Sequence, residues 1–247
     1  MALLTSAFIN CANANENSAV QATEITQAVS NTGRLARDMD RDPQRHPQEI
    51  LQFFDVKAGM TVLDLFSGGG YYSELLARVV GPTGKVIAHN NQAYLPFAKD
   101  DLAQRNYASR LPEVEFLIAE ANDLTFPASS LDRVFFVLGF HDMFYSDESW
   151  PEINKDKLIS LLFQSVKSGG LVAIIDHYAL PNAEVSSGQA LHRIAPERVI
   201  ELMQQEGFVL AGRSTVLENA DDPLDISAFD KRVQGKTSRF VLKFVKP

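Results

Sequence analysis

The chain has 247 residues, 45% of them hydrophobic and 22% charged, with a formal net charge of -8. That length and composition suit one globular domain with a full core. The acidic balance, with Lys and Arg scattered, argues against a nucleic-acid partner, whose phosphates call for a basic stripe. Cys11 is the only cysteine, which excludes an intrachain disulfide and a CxxC metal knuckle. No apolar run approaches the roughly 20 residues that span a bilayer, so no integral membrane segment is expected.

Residues 1–20 read as a signal peptide or a disordered N-terminus. Leu3 to Ile9 form a short apolar core, and Ala12-Asn13-Ala14 fits an A-x-A cleavage site. No Lys or Arg precedes the apolar core, which favours a cytoplasmic protein over an exported, periplasmic one. Residues 21–46 form a polar extension with one helix expected around Glu24 to Asp38, and residues 47–247 form the main domain. That domain opens with a helix at Pro47, whose apolar face is Ile50, Leu51, Phe53 and Phe54. Proline suits a first helical turn, where its missing N–H has no partner to lose.

From there strands and helices alternate. The expected elements are strand 61–66, helix 71–80, strand 85–90, a helix near 94–109, strands 114–120 and 132–140, helix 155–167 and strand 170–178. Strands so apolar on both faces belong in a parallel sheet covered by helices on each side, a doubly wound α/β fold. After helix 195–207, "FVLAGRSTVL" and "SRFVLKFVKP" read as an antiparallel pair closing the sheet edge.

The stretch "VLDLFSGGGYYSELL" joins the first strand to the next helix. Glycine lets the backbone turn sharply and approach a ligand, and a helix N-terminus offers free N–H groups and partial positive charge. Such an end suits a carboxylate or a phosphate. A dinucleotide fingerprint needs a third glycine at position 73, where Ser73 stands, and a dehydrogenase continues with a parallel sixth strand instead of a hairpin. The other readings are an NAD(P)-dependent oxidoreductase and a non-catalytic protein that keeps the fold.

With the closing hairpin included, residues 47 to 247 resemble the class I S-adenosylmethionine-dependent methyltransferases, nearest to a group of predicted methyltransferases of unassigned substrate. "VLDLFSGGG" carries the likeness, with "FHD", "DHYAL" and "LHRI". The resemblance implies S-adenosylmethionine as cofactor and a small-molecule acceptor. It puts Asp64 at the family's acid and Gly68 and Gly70 at its second and third glycines, with Ser67 and Gly69 between and Phe66 in place of the first. A ribose-binding acid is expected at the end of the second strand, but Asn90 stands there with Asn91 beside it. Asn122 and Asp123, after the third strand, fall where the adenine amino group is held.

Ligands in such sheets sit beyond the carboxyl ends of the strands. His141 and Asp142 follow the fourth strand, Asp176 and His177 end the fifth, and His192 with Arg193 lies further on. Methyl transfer asks the protein to align a nucleophile and remove its proton, which suits a histidine. His141 with Asp142 is the first candidate pair, and His177 with Asp176 the second. The three histidines and two carboxylates are also zinc or iron ligand types. With no H-x-H or H-x-x-x-H spacing, no metal is assigned. Tyr71, Tyr72, Phe140, Phe144, Tyr145 and Trp150 are expected on the same rim, either as faces that attract a sulfonium or as the lining of an apolar lid over the site.

Overall fold

A computed structural model describes residues 19–247. The apolar stretch, the A-x-A sequence and Cys11 lie outside the described residues. None of the described helices is long and apolar enough to cross a membrane.

Seven strands form one sheet in the order β3-β2-β1-β4-β5-β7-β6. They are β1 (Thr61–Leu65), β2 (Lys85–Asn90), β3 (Val114–Ile118), β4 (Leu131–Val137), β5 (Val166–His177), β6 (Val209–Ser214) and β7 (Arg239–Val245). β1 to β5 run parallel, and β7 lies antiparallel between β5 and β6. This is the mostly parallel, doubly wound sheet closed by an antiparallel hairpin that the sequence led us to expect.

Strand residues alternate between two cores because successive side chains point to opposite faces. On one face Leu63, Leu65, Phe136, Val172, Ile174 and Leu242 pack under α8 (Lys155–Ser165) and α10 (Pro196–Gln205). On the other, Val62, Phe135, Ala173, Ile175 and Val241 pack under α4 (Pro47–Phe53) and α5 (Tyr71–Val80).

The single helix expected from Glu24 to Asp38 is two. α1 covers 19–29, and α2 (Ala36–Met39) follows a turn in which Asn31 Oδ1 accepts the Gly33 N–H. The helix expected near 94–109 is also broken: α6 (Leu95–Arg105) ends at Asn106, which adopts a left-handed φ of 40° and starts α7 (Tyr107–Arg110). Asparagine tolerates that conformation, so it caps where the pattern alone would continue. Two further short helices, α3 (Asp42–Arg45) and α9 (Ser186–Leu191), have no apolar period that would mark them.

The order of the strands reverses between β1 and β4, since β2 and β3 lie to one side of β1 and β5 to the other side of β4. Two non-glycine residues adopt left-handed backbone there, Phe66 (φ 54°) after β1 and Leu138 (φ 56°) after β4. Both turns open the carboxyl edge of the sheet as a crevice.

Candidate functional site

A cleft of about 180 Å³ sits over the glycine loop, lined by Arg41, Arg45, Asp64, Ser67, Gly68, Gly69 and by Tyr71, Tyr72, Tyr94, Asp101, Val137 and Leu138. The loop's conformation follows from three local constraints. Gly68 and Gly70 take left-handed φ values of 55° and 77°. A Cβ on Gly69 would fall 2.3 Å from Asp101 Oδ2, and one on Gly70 would fall 1.9 Å from the Tyr107 hydroxyl. A Cβ on Gly68 would meet only open space. Gly68 is therefore bare toward a ligand, while the other two are bare toward the protein.

Asn90 is wholly buried and clamps the loop. Its Oδ1 accepts the Gly68 N–H at 2.8 Å and its Nδ2 donates to the Gly68 carbonyl at 2.9 Å. Asn91 Oδ1 accepts the Tyr94 N–H and caps the turn before α6. Both side chains expected to face a ribose thus hold backbone instead, which explains an amide in place of a carboxylate at Asn90: only an amide both donates and accepts. Asn122 likewise binds the 152–154 segment, donating to the Glu152 carbonyl and accepting from the Asn154 N–H. Asp123 is exposed beside it.

Asp64 is buried, and Ser73 Oγ donates to its Oδ2 at 2.6 Å. Burial pushes the Asp64 carboxyl up to about 7, against the hydrogen bond from Ser73. Ser73 thus has a partner on β1, which accounts for a hydroxyl at the fingerprint's third-glycine position. Ser67 Oγ is buried without a hydrogen-bond partner among the described residues. A buried hydroxyl without a partner carries a desolvation cost that a ligand group can relieve.

The extension brings charged side chains to the loop that no motif marks. Arg45 stacks over the Tyr71 ring at 4.5 Å and forms no ion pair among the described residues. Arg105, with no exposed surface, donates to the Gly69 carbonyl at 2.6 Å and pairs with Asp38 and Glu74. Arg34 pairs with Asp42, whose Oδ1 also accepts the Tyr71 hydroxyl. These contacts fasten the extension to the loop. Nothing in the local sequence of 34–45 signals this, because the partners outside it stand 26 to 67 positions away.

A second cluster lies where β4 and β5 end. His141 opens a 3-10 turn over His141–Phe144. Asp176 receives the His141 backbone N–H at 2.9 Å and its Nδ1 at 2.7 Å, while His141 Nε2 lies 3.2 Å from Asp142 Oδ1. Burial alone would lower the imidazole's pKa, but Asp176 and Asp142 outweigh it and raise it to about 9. His141 is therefore a cation at neutral pH with both nitrogens engaged, which does not suit the proton acceptor it was expected to be. His177 differs: its Nδ1 bonds Thr237 Oγ1 at 2.7 Å, and burial with the neighbouring cation of His141 holds it neutral. The Tyr94 hydroxyl donates to Asp142 Oδ2 at 2.5 Å, and its ring stacks on Phe66 at 5.4 Å, so Tyr94 joins the two clusters.

Of the aromatics expected on the rim, Tyr71 and Tyr72 line the cleft, Trp150 packs on Tyr94 and Tyr145 on His192, but Phe140 is buried in the core. Arg193 is buried in a two-bond ion pair with Asp222 and holds the 218–238 loop over the rim.

Residues 56–218 match the family described as "Methyltransferase domain". A Pseudomonas putida ubiquinone/menaquinone biosynthesis C-methyltransferase UbiE is 30% identical over 127 residues, covering 51% of this chain and 45% of that protein. The Ectopseudomonas oleovorans protein of the same name is 34% identical over 100 residues, covering 40% of this chain and 57% of its own. The matches thus span about half the length of these relatives. A SAM-dependent methyltransferase from Aquifex aeolicus shares the fold, with a TM-score of 0.59 at 22% identity over 86% of this chain and 98% of that one.

Proposed function

The chain belongs to the methyltransferase domain family, with S-adenosylmethionine as cofactor, and we propose that it transfers the methyl group to a small molecule held beyond β4 and β5. The observation that carries the reading is the cleft itself. It offers both signs of charge, Arg41 and Arg45 against Asp64 and Asp101, an unpartnered Ser67 hydroxyl and a Gly68 with open space above it. That set fits a zwitterionic amino-acid end: Arg45 and Ser67 would hold the carboxylate, and Asp64 would hold the ammonium.

When bound, the cofactor supplies an electrophilic methyl on a sulfonium. The protein's share is placement and proton removal. Phe66 and Tyr94 form an apolar wall between the loop and the second cluster. Asn90 acts through the loop as a positioning residue. His141, held as a cation by Asp142 and Asp176, fixes the rim. His177, neutral and bonded at Nδ1 to Thr237, is the base we assign to the acceptor's proton, its lowered pKa restricting it to an acidic acceptor group. Ubiquinone and menaquinone precursors lead the acceptor panel, because the matched relatives are named for them.

Incubation of the purified chain with methyl-labelled S-adenosylmethionine and that panel tests the reading. Label should appear in a small-molecule product, and its rate of transfer should fall about a hundredfold or more in His177→Ala, the share a general base supplies. Cofactor binding without transfer to any small molecule, or transfer unchanged in His177→Ala, would count against it.

A further inference from the structure

Two adjacent side chains at the rim, His141 and Asp142, meet a third, His192, that lies far along the chain, with no ligand spacing to announce it. One ligand atom from each of His141, Asp142 and His192 lies within 4.8 Å of the others, and Asp142 Oδ1 is 3.2 Å from His141 Nε2 and 3.9 Å from His192 Nδ1. We propose that they form a divalent transition-metal site, with two imidazoles and one carboxylate as ligands. The inference does not depend on methyl transfer.

Each ligand is already oriented by a second contact. Asp176 takes His141 Nδ1 at 2.7 Å, which leaves Nε2 facing the cluster. Carboxylate–imidazole pairs of this kind fix the tautomer of metal-bound histidines. The Tyr94 hydroxyl occupies Asp142 Oδ2 and leaves Oδ1 inward. His192 Nδ1 is buried with no hydrogen-bond partner among the described residues, 3.9 Å from Asp142 Oδ1, which is too long for a hydrogen bond. Its ring is held between Phe229 at 4.6 Å and Tyr145 at 4.9 Å.

Local structure brings the third ligand in. His192 takes a left-handed φ of 53° where α9 ends. α9 sits against the His141–Phe144 turn because Gly188 has no Cβ: one placed there would lie 2.9 Å from the His141 carbonyl oxygen and 2.9 Å from Phe144 Cβ. Metal–ligand bonds of about 2.0–2.2 Å imply donor separations of roughly 3–3.5 Å. The 3.2 Å His141–Asp142 spacing meets this. His192, 3.9 Å from Asp142 Oδ1 and within 4.8 Å of the His141 ligand atom, must close by up to about 1–1.5 Å to complete the set. Two nitrogens and one oxygen suit zinc, iron(II) or cobalt(II) and disfavour magnesium and calcium. Three protein ligands leave coordination positions open for water or a substrate atom. On binding, the metal takes the place of the Nε2 proton of His141, which leaves to solvent.

The test uses the full, untagged chain stripped with a chelator and titrated with Co²⁺, and then with Zn²⁺ to displace it. The expected result is one Co²⁺ per chain with visible d–d absorption, lost on addition of Zn²⁺. Affinity should drop more than tenfold in His192→Ala and stay unchanged in His46→Ala, which alters a histidine outside the cluster. Circular dichroism of both metal-free variants checks the fold, and His192→Gln replaces His192→Ala if the latter does not fold. Folded wild type that takes up no cobalt, or binding that survives the loss of His192, overturns the proposal.

Discussion

Phe66 stands where a glycine is expected and still adopts glycine's left-handed backbone, at φ 54°. For an L-residue this costs about 1–2 kcal/mol, so the surroundings must over-determine it. They do: the ring packs against His89, Tyr94 and Phe136. His89 has no exposed surface and bonds on both sides, accepting the Phe66 N–H at Nδ1 and meeting the Ala119 carbonyl at Nε2. Burial lowers its pKa to about 4. A folded pKa below the unfolded 6.5 means that the stabilisation is complete above pH 6.5 and is lost as the pH falls toward 4. The loss amounts to about 3 kcal/mol. Asp64, raised to about 7 by burial, acts in the opposite direction, so the informative quantity is the difference between wild type and His89→Gln. Urea denaturation at several pH values should show that difference shrinking by about 3 kcal/mol from pH 7 to pH 4. A difference independent of pH contradicts it.

Arg45 belongs to the same scale. If it holds the cofactor's carboxylate, Arg45→Met removes a charge-assisted hydrogen bond of about 1.5–3 kcal/mol and weakens binding roughly 10- to 100-fold. Stability should change little, because only the stacking on Tyr71 is lost. Calorimetric titration and a thermal melt of the same variant separate these effects, and equal cofactor affinity in Arg45→Met and wild type would remove Arg45 from the site.

Among the elements, the regular strand-helix alternation was legible because it rests on local patterns. β2 and α5 run over the residues the apolar pattern indicates, and the closing hairpin forms as expected. Breaks within helices were not legible, since at Asn106 and Asn31 a single residue's backbone preference overrides the period. The loop over 218–238 was legible only as polar chain. Its structure depends on the buried Arg193–Asp222 pair, whose members stand 29 positions apart. Removing one partner strands a buried charge, so Arg193→Met should lower stability by about 3–5 kcal/mol. A shift within about 0.5 kcal/mol in chemical denaturation, the usual scale for surface changes, would show that the pair does not hold the loop.

Taken as a whole molecule, the chain places its chemistry along one edge of the sheet, where β1 and β4 part. The glycine loop, Asp64 and the strand-end histidines were readable there because the motif and the topology locate them. The directions of the side chains were not. Asn90 faces backbone because an amide at the end of β2 meets both the N–H and the carbonyl of Gly68, and Asn91 because it caps the turn at Tyr94. Arg45 and Arg105 reach the loop across long stretches of chain, which no spacing rule reports.

The central claim is that this loop and the extension over it bind S-adenosylmethionine. The most direct measurement is calorimetric titration of the folded chain with S-adenosylhomocysteine, for wild type and Gly68→Val. A Cβ at this position meets open space in the protein, so the variant's cost is the left-handed backbone, about 2 kcal/mol or somewhat more for a β-branched residue, and a thermal melt checks that it folds. The account predicts one site per chain in wild type and none measurable in folded Gly68→Val. Absence of binding to folded wild type, or equal binding by both proteins, would contradict it.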